Sequence, residues 1–173
     1  MPYQIENITP DLFRGSVSKH LKMKWIRTPV AIWKQLSSEF SFTVDACASE
    51  ENHLLPRYWT KKTDALVHDW DNETIYCHPM FDTAIPKFIK KGCTAKNSII
   101  VFLLPASTNA RYFHTWLWDS TKHKPKTNVE IRFIPKPDKE SEGWKFRNEN
   151  GEEPKMGYMR PLMIVVVDTS EER

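Results

Sequence analysis

The chain has 173 residues, 40% of them hydrophobic, which suits one compact domain with a buried core and excludes a disordered or fibrous protein. A net charge of +3 is too small to signal nucleic-acid binding, and the lysine clusters at Lys87, Lys90 and Lys91 and at Lys122, Lys124 and Lys126 are ordinary solvated surface by default. Three cysteines without CxxC spacing point to a reduced cytoplasmic setting with no metal site. No apolar run approaches the ~20 residues of a membrane span.

Residues 1–24 are polar and mixed and read as an extension preceding a single domain over 25–173. Thr28-Pro29 predicts a helix start, with Thr as cap and Pro at the first helical position. Ile32, Trp33, Leu36 and Phe40 follow at helical spacing. Phe40–Val44 alternates and predicts a strand ending at Asp45. Residues 49–58 read as a short helix or irregular segment, and Ala65–Val67 and Thr74–Cys77 as short strands. Residues 82–91 read as a helix despite Pro86. The apolar run 98–104 suits a strand buried on both faces of a parallel sheet.

Thr108–Trp118 carries Tyr112, Phe113, Trp116 and Leu117 at helical spacing, and 129–134 and 163–167 predict two more strands. The Pro-, Gly- and charge-rich stretch 135–160 between these two strands is a long loop or flap, and it lets them pair antiparallel at the sheet edge. Strands alternating with helices give an α/β fold with a mostly parallel sheet. Ligands of such sheets sit beyond the carboxyl ends of the strands.

The chemistry-bearing residues lie at those ends. Asp45 precedes Ala46, Cys47, Ala48 and Ser49, small residues that allow close approach to a ligand; taken alone, such an Asp is more often a turn or cap residue. Glycine is missing, so this is not a phosphate-binding fingerprint. Asp64 follows about twenty residues later, an offset at which nucleoside-binding folds place an acid. Cys47 itself reads as a small packing residue. His78 precedes Pro79, which forces it into extended geometry, and Phe81 adds an aromatic face.

Taken together, Thr28-Pro29, Trp33, Phe42–Ser49, Asn52, Pro56–Thr60, Asp64–Leu66, Trp70, Tyr76–Pro79, Leu104–Ala106, Asn109, Arg111–His114 and Glu130–Ile134 resemble the small phage-type DNA N6-adenine methyltransferase family. The similarity runs in order over about residues 25–168. It implies a Rossmann-like S-adenosylmethionine-dependent methyltransferase fold, with an antiparallel edge hairpin, acting on DNA in a phage-infected or prophage-bearing bacterial cell. By this resemblance Thr28 and Pro29 sit near the methionine carboxylate of S-adenosylmethionine. Asp45, Ala46 and Cys47 line the floor beneath it, and Asp64, followed by Ala65, faces the adenosine.

The family motif Asn/Asp-Pro-Pro-aromatic is represented by His78-Pro79-Met80-Phe81. The resemblance makes His78, Pro79 and Phe81 the catalytic set: an acceptor for the adenine amino group, a backbone carbonyl, and a stacking face for a flipped base. Neutral His accepts one hydrogen bond only in the right tautomer, and protonated His accepts none. The alternative reading is a catalytically impaired relative that binds cofactor, DNA or a host protein as a decoy or inhibitor. With little room for a separate recognition domain, double-stranded DNA contact falls to loops carrying Asn109 and Arg111, and Lys145 and Arg147 beside Trp144. A solvated flap is the competing reading of the latter.

Overall fold

The computed structural model describes residues 27–136, 144–148, 151–152 and 157–170; the proposed 1–24 extension lies outside them. Helix α1 spans Val30–Glu39 and α2 spans Ile85–Thr94. The strands are β1 (Val44–Ala48), β2 (Tyr58–Thr60), β3 (Thr74–Cys77), β4 (Ile99–Pro105), β5 (Trp118–Asp119), β6 (Lys124–Pro125), β7 (Val129–Ile134) and β8 (Leu162–Asp168). Six of them form one sheet in the order β2-β1-β3-β4-β8-β7, and β5 and β6 pair separately. From β2 through β4 all neighbours are parallel. β8 runs antiparallel to β4 along its whole length, and β7 antiparallel to β8, closing the sheet with the expected edge hairpin.

The continuous apolar runs of β4 and β8 follow from burial on both faces. Ile100, Phe102 and Leu104, with Met163, Val165 and Val167, pack with Ile85 and Ile89 of α2 and with Phe113 and Leu117. The alternate residues Val101 and Leu103, with Leu162, Ile164 and Val166, pack with Ile32 and Leu36 of α1. Helices on both faces of a mostly parallel sheet make this an α/β domain. Gly92 lets α2 lie close on the sheet: a Cβ there would fall 2.6 Å from Phe102 Cζ.

Several local expectations shift. Pro29, not Thr28, occupies the cap position of α1, with φ −57° and ψ 133°; the Thr28 hydroxyl is taken by tertiary partners instead. The first strand is Val44–Ala48, so Asp45 lies within it and not at its end. Phe40 and Phe42 alternate but lie outside the strands, Phe42 stacked on Trp33, edge-on to Tyr76 and tilted against Phe40. Within 49–60 the structure adds β2, a three-residue edge strand. Ala65–Val67 is a turn, not a strand, with Asp64 in the left-handed region at φ 50°.

Residues 113–117 form a single π-helical segment and not the tail of an α-helix, because Trp118 must leave it to pair with Pro125. Pro86 falls in the first turn of α2, where its missing N–H costs nothing. In the expected flap, Trp144 and Tyr158 exchange backbone hydrogen bonds at 3.1 and 2.7 Å, and Phe146 is buried in the α1-side core.

Candidate active site

Strands β1 and β3 are parallel neighbours, so their carboxyl ends open on the same edge of the sheet. A cavity of about 360 Å³ lies there. Its floor is Ala46, Cys47 and Ala48 from β1. One wall is the turn carrying Thr60, Lys61, Asp64, Ala65 and Leu66, and the other is His78, Pro79 and Met80 with Asp82, Ala84 and Phe88. Asn52 completes the rim.

Each wall is held by identifiable bonds. The Asp45 carboxylate accepts from the backbone N–H of Leu54 (3.0 Å) and of Cys47 (3.3 Å), which ties the loop after β1 to the strand. Burial holds this carboxyl above its ordinary pKa against the pull of those two donors. The Asp64 turn is closed by the Leu66 N–H donating to Asp64 Oδ1 (3.0 Å), a conformation Asp tolerates well. Trp70, buried beneath it, donates from Nε1 to the Ala65 carbonyl (2.9 Å). Asp82 Oδ1 caps the opposite turn by accepting from the Ala84 N–H (2.7 Å).

His78 is 8% exposed, and burial pushes its imidazole down to about 3, so the ring is neutral at physiological pH. Its Nδ1 lies 3.0 Å from Thr28 Oγ1, and that hydroxyl lies 2.7 Å from the phenol oxygen of Tyr76. The other ring nitrogen, Nε2, is buried and has no hydrogen-bond partner among the described residues. The ring rests against Phe81 (5.3 Å) and Phe146 (5.7 Å), and Phe81, half-buried, also meets Tyr158 (5.3 Å).

Of the residues singled out from sequence, Ala46, Cys47, Asp64, Ala65, His78 and Pro79 meet around one cavity. Thr28, Pro29, Asp45 and Phe81 are not in its lining. Thr28 stands behind His78, the Asp45 carboxylate is spent on the β1 loop, and Phe81 faces the flap. Asn109 and Arg111 are exposed after β4, and Lys145 and Arg147 are exposed on the flap.

Sequence reasoning passed over Lys61, Asp82 and Phe88 as cavity residues, and over Tyr76 as a partner of the motif. Lys61 and Asp82 each lie within a few residues of a recognised motif residue, a signal that proximity alone could have raised. Cys77, at the end of β3, sits 3.5 Å Sγ to Sγ from Cys47, and burial raises its thiol pKa well above the usual value.

A parallel α/β sheet with an antiparallel edge and a cavity at the strand ends defines a protein of the methyltransferase-like class. Within that class, the family model for DNA N-6-adenine-methyltransferase (Dam) matches residues 15–161, and the chain belongs to this family. No curated protein and no solved structure matches it significantly. Among the described residues no helix is long and apolar enough to cross a membrane.

Proposed function

We propose that the chain transfers a methyl group from S-adenosylmethionine to the N6 amino group of an adenine flipped out of DNA. The observation that carries this is the meeting of His78-Pro79 with Ala46, Cys47 and the Asp64 turn around a single cavity. Its volume lies in the range of cofactor sites, and its small-residue floor admits close approach. The lining also fits the cofactor's charges. Asp64 and Asp82 would accept from its ammonium and ribose hydroxyls, and Lys61 would face its carboxylate, with Ala65 beside the adenosine. Bound there, S-adenosylmethionine supplies a methyl group activated by its sulfonium.

The chain's own part is positioning. Pro79 would offer its carbonyl to the amino group, and Phe81 an aromatic face to the base. His78, kept neutral by burial, adds no positive charge beside a cationic donor. Asn109, Arg111, Lys145 and Arg147 would meet the DNA backbone, which predicts binding that weakens steeply with salt. Incubation with labelled S-adenosylmethionine and unmethylated duplex DNA tests the reading. Label incorporated well above a Phe81→Ala control supports it, and incorporation equal to that control at every pH and duplex overturns it.

A second reading, an impaired relative that binds without transferring, draws support from the packing of Phe81 against Tyr158 and Phe146. It expects His78→Asn with Met80→Pro to create or strongly raise activity. A wild-type rate left unchanged by that double substitution removes it.

A further inference from the structure

Charge is spread unevenly along the chain. Between Asp82 and Glu130 lie eight Lys and Arg residues and a single acid, Asp119, although the whole chain carries only +3. The two lysine clusters of that stretch are separated in sequence by the buried strand β4, and the fold brings them together. Helix α2, which carries Lys87, Lys90 and Lys91, packs on the same face of the sheet as Phe113 and Leu117. In its last turn, Cys93 Sγ lies 4.0 Å from the Trp116 carbonyl. Lys126 Nζ donates to the adjacent Thr115 carbonyl (2.7 Å), and burial pushes the Cys93 thiol up to about 11 with the Lys126 ammonium pulling against it. The second cluster therefore stands beside the end of α2 that carries Lys90 and Lys91.

The resulting strip starts at the cavity. Ala84 and Phe88 line that cavity, so Lys87 lies at its rim, and the exposed Arg111 follows β4 on the same edge of the sheet. From there the ten residues of α2 run about 15 Å toward the β5–β6 hairpin, which carries Lys122 and Lys124. Among the described residues, Lys87, Lys90, Lys91, Arg111 and Lys124 have no acidic partner. The lone acid is satisfied locally: Asp119 accepts from the N–H groups of Thr121 (3.0 Å) and Lys122 (3.1 Å) and faces Lys122 Nζ at 3.9 Å. Beside it, an open cleft of about 550 Å³ presents His114, Ser120, Thr127 and Asn128. Cations gathered without counter-charge repel one another, and a polyanion relieves that repulsion while releasing its own counterions.

We propose that this face, from Lys87 and Arg111 at the cavity to Lys122 and Lys124 on the hairpin, is the track on which the phosphate backbone of duplex DNA lies while one base enters the cavity. The choice of DNA rests on the methyltransferase reading above. The 15 Å run of α2 matches about four phosphates of one strand, spaced about 3.4 Å apart along the duplex axis. The track lies on the α2 face, whereas the flap packs into the α1-side core, so the two are separable by mutation.

Fluorescence anisotropy of a labelled unmethylated duplex with the full chain, over a range of salt, tests it. Lys90→Gln with Lys124→Gln is compared with the charge-matched control Lys34→Gln with Lys62→Gln, all four being exposed lysines. Losing two phosphate contacts should lower the slope of log affinity against log salt by about 2 and weaken binding at least about tenfold near 0.1 M salt, with the control unchanged. Equal slopes in the two variants overturn the proposal, as does a wild type that binds no duplex or prefers phosphatidylserine vesicles. Lys90→Arg with Lys124→Arg keeps the charge and should keep the wild-type slope; a loss there as large as in the glutamine variant also overturns it. The transfer assay separates the track from the activity. Wild-type transfer with equal slopes refutes the track alone, and slopes that differ without any transfer refute the activity alone.

Discussion

Acidification is the sharpest perturbation of the site, because His78 is buried as a neutral ring. Unfolded, an ordinary imidazole binds a proton below about 6.5, whereas in the folded chain His78 binds one only near 3. Between those values the unfolded state holds more protons than the native state. The stability associated with the neutral ring is therefore complete above about 6.5 and is lost as pH falls toward 3. From pH 7 to pH 5 the loss is roughly 2 kcal/mol, at 1.36 kcal/mol per pKa unit over the pH range below 6.5.

Urea unfolding followed by tryptophan fluorescence at pH 7, 6 and 5 measures it, in the wild type and in His78→Gln. Other titrating groups contribute to both proteins and cancel in the difference. Wild-type stability is expected to fall by roughly 2 kcal/mol more than that of the variant over this interval. Parallel pH curves refute the reasoning. So does an independent observation in the wild type alone, a His78 Cε1–H resonance that titrates above about pH 5.

Three further outcomes follow from particular contacts. Asp45→Ala leaves the N–H groups of Leu54 and Cys47 without their carboxylate; it should cost roughly 2 kcal/mol in urea unfolding and weaken S-adenosylmethionine binding in calorimetry, and an unchanged midpoint contradicts the role given to this residue. Phe146→Ala removes a side chain buried between His78, Phe81 and Tyr158. A loss of about 3–4 kcal/mol is expected in guanidinium, and a loss below about 1 kcal/mol means the flap is not packed on the motif. Gly92→Ala drives a methyl group into Phe102. Despite the better helix propensity of alanine, a net destabilisation of about 1–2 kcal/mol should appear as a lowered Tm.

Strands β4 and β8 were legible because their two-sided burial makes every residue apolar, a pattern that needs no partner to be identified. Helix α1 was legible from Ile32 and Leu36, four residues apart on one face. Ala46, Cys47, His78 and Pro79 were legible as one group because the ends of parallel strands converge on one edge, whereas Asp64 and Ala65 join them from a turn where the sequence suggested a strand. Strand β2 was not, since a three-residue edge strand is held by its neighbour β1 more than by its own composition. Nor was the π-helical segment, whose side-chain spacing matches that of an α-helix until Trp118 is drawn to Pro125.

The sequence by itself determined the α/β sheet, its antiparallel edge and the family to which the motif His78-Pro79-Met80-Phe81 belongs. Tertiary structure alone decided what the motif's neighbours do. Thr28 looks like a helix cap in its local sequence, yet its hydroxyl meets Tyr76 and His78, 48 and 50 residues away. Asp45 looks like a strand-end ligand, yet its oxygens are taken by the backbone of its own loop. The reason is physical: a polar side chain's role is set by whichever partner reaches it once water is excluded, and that partner is chosen by the packing of the whole sheet.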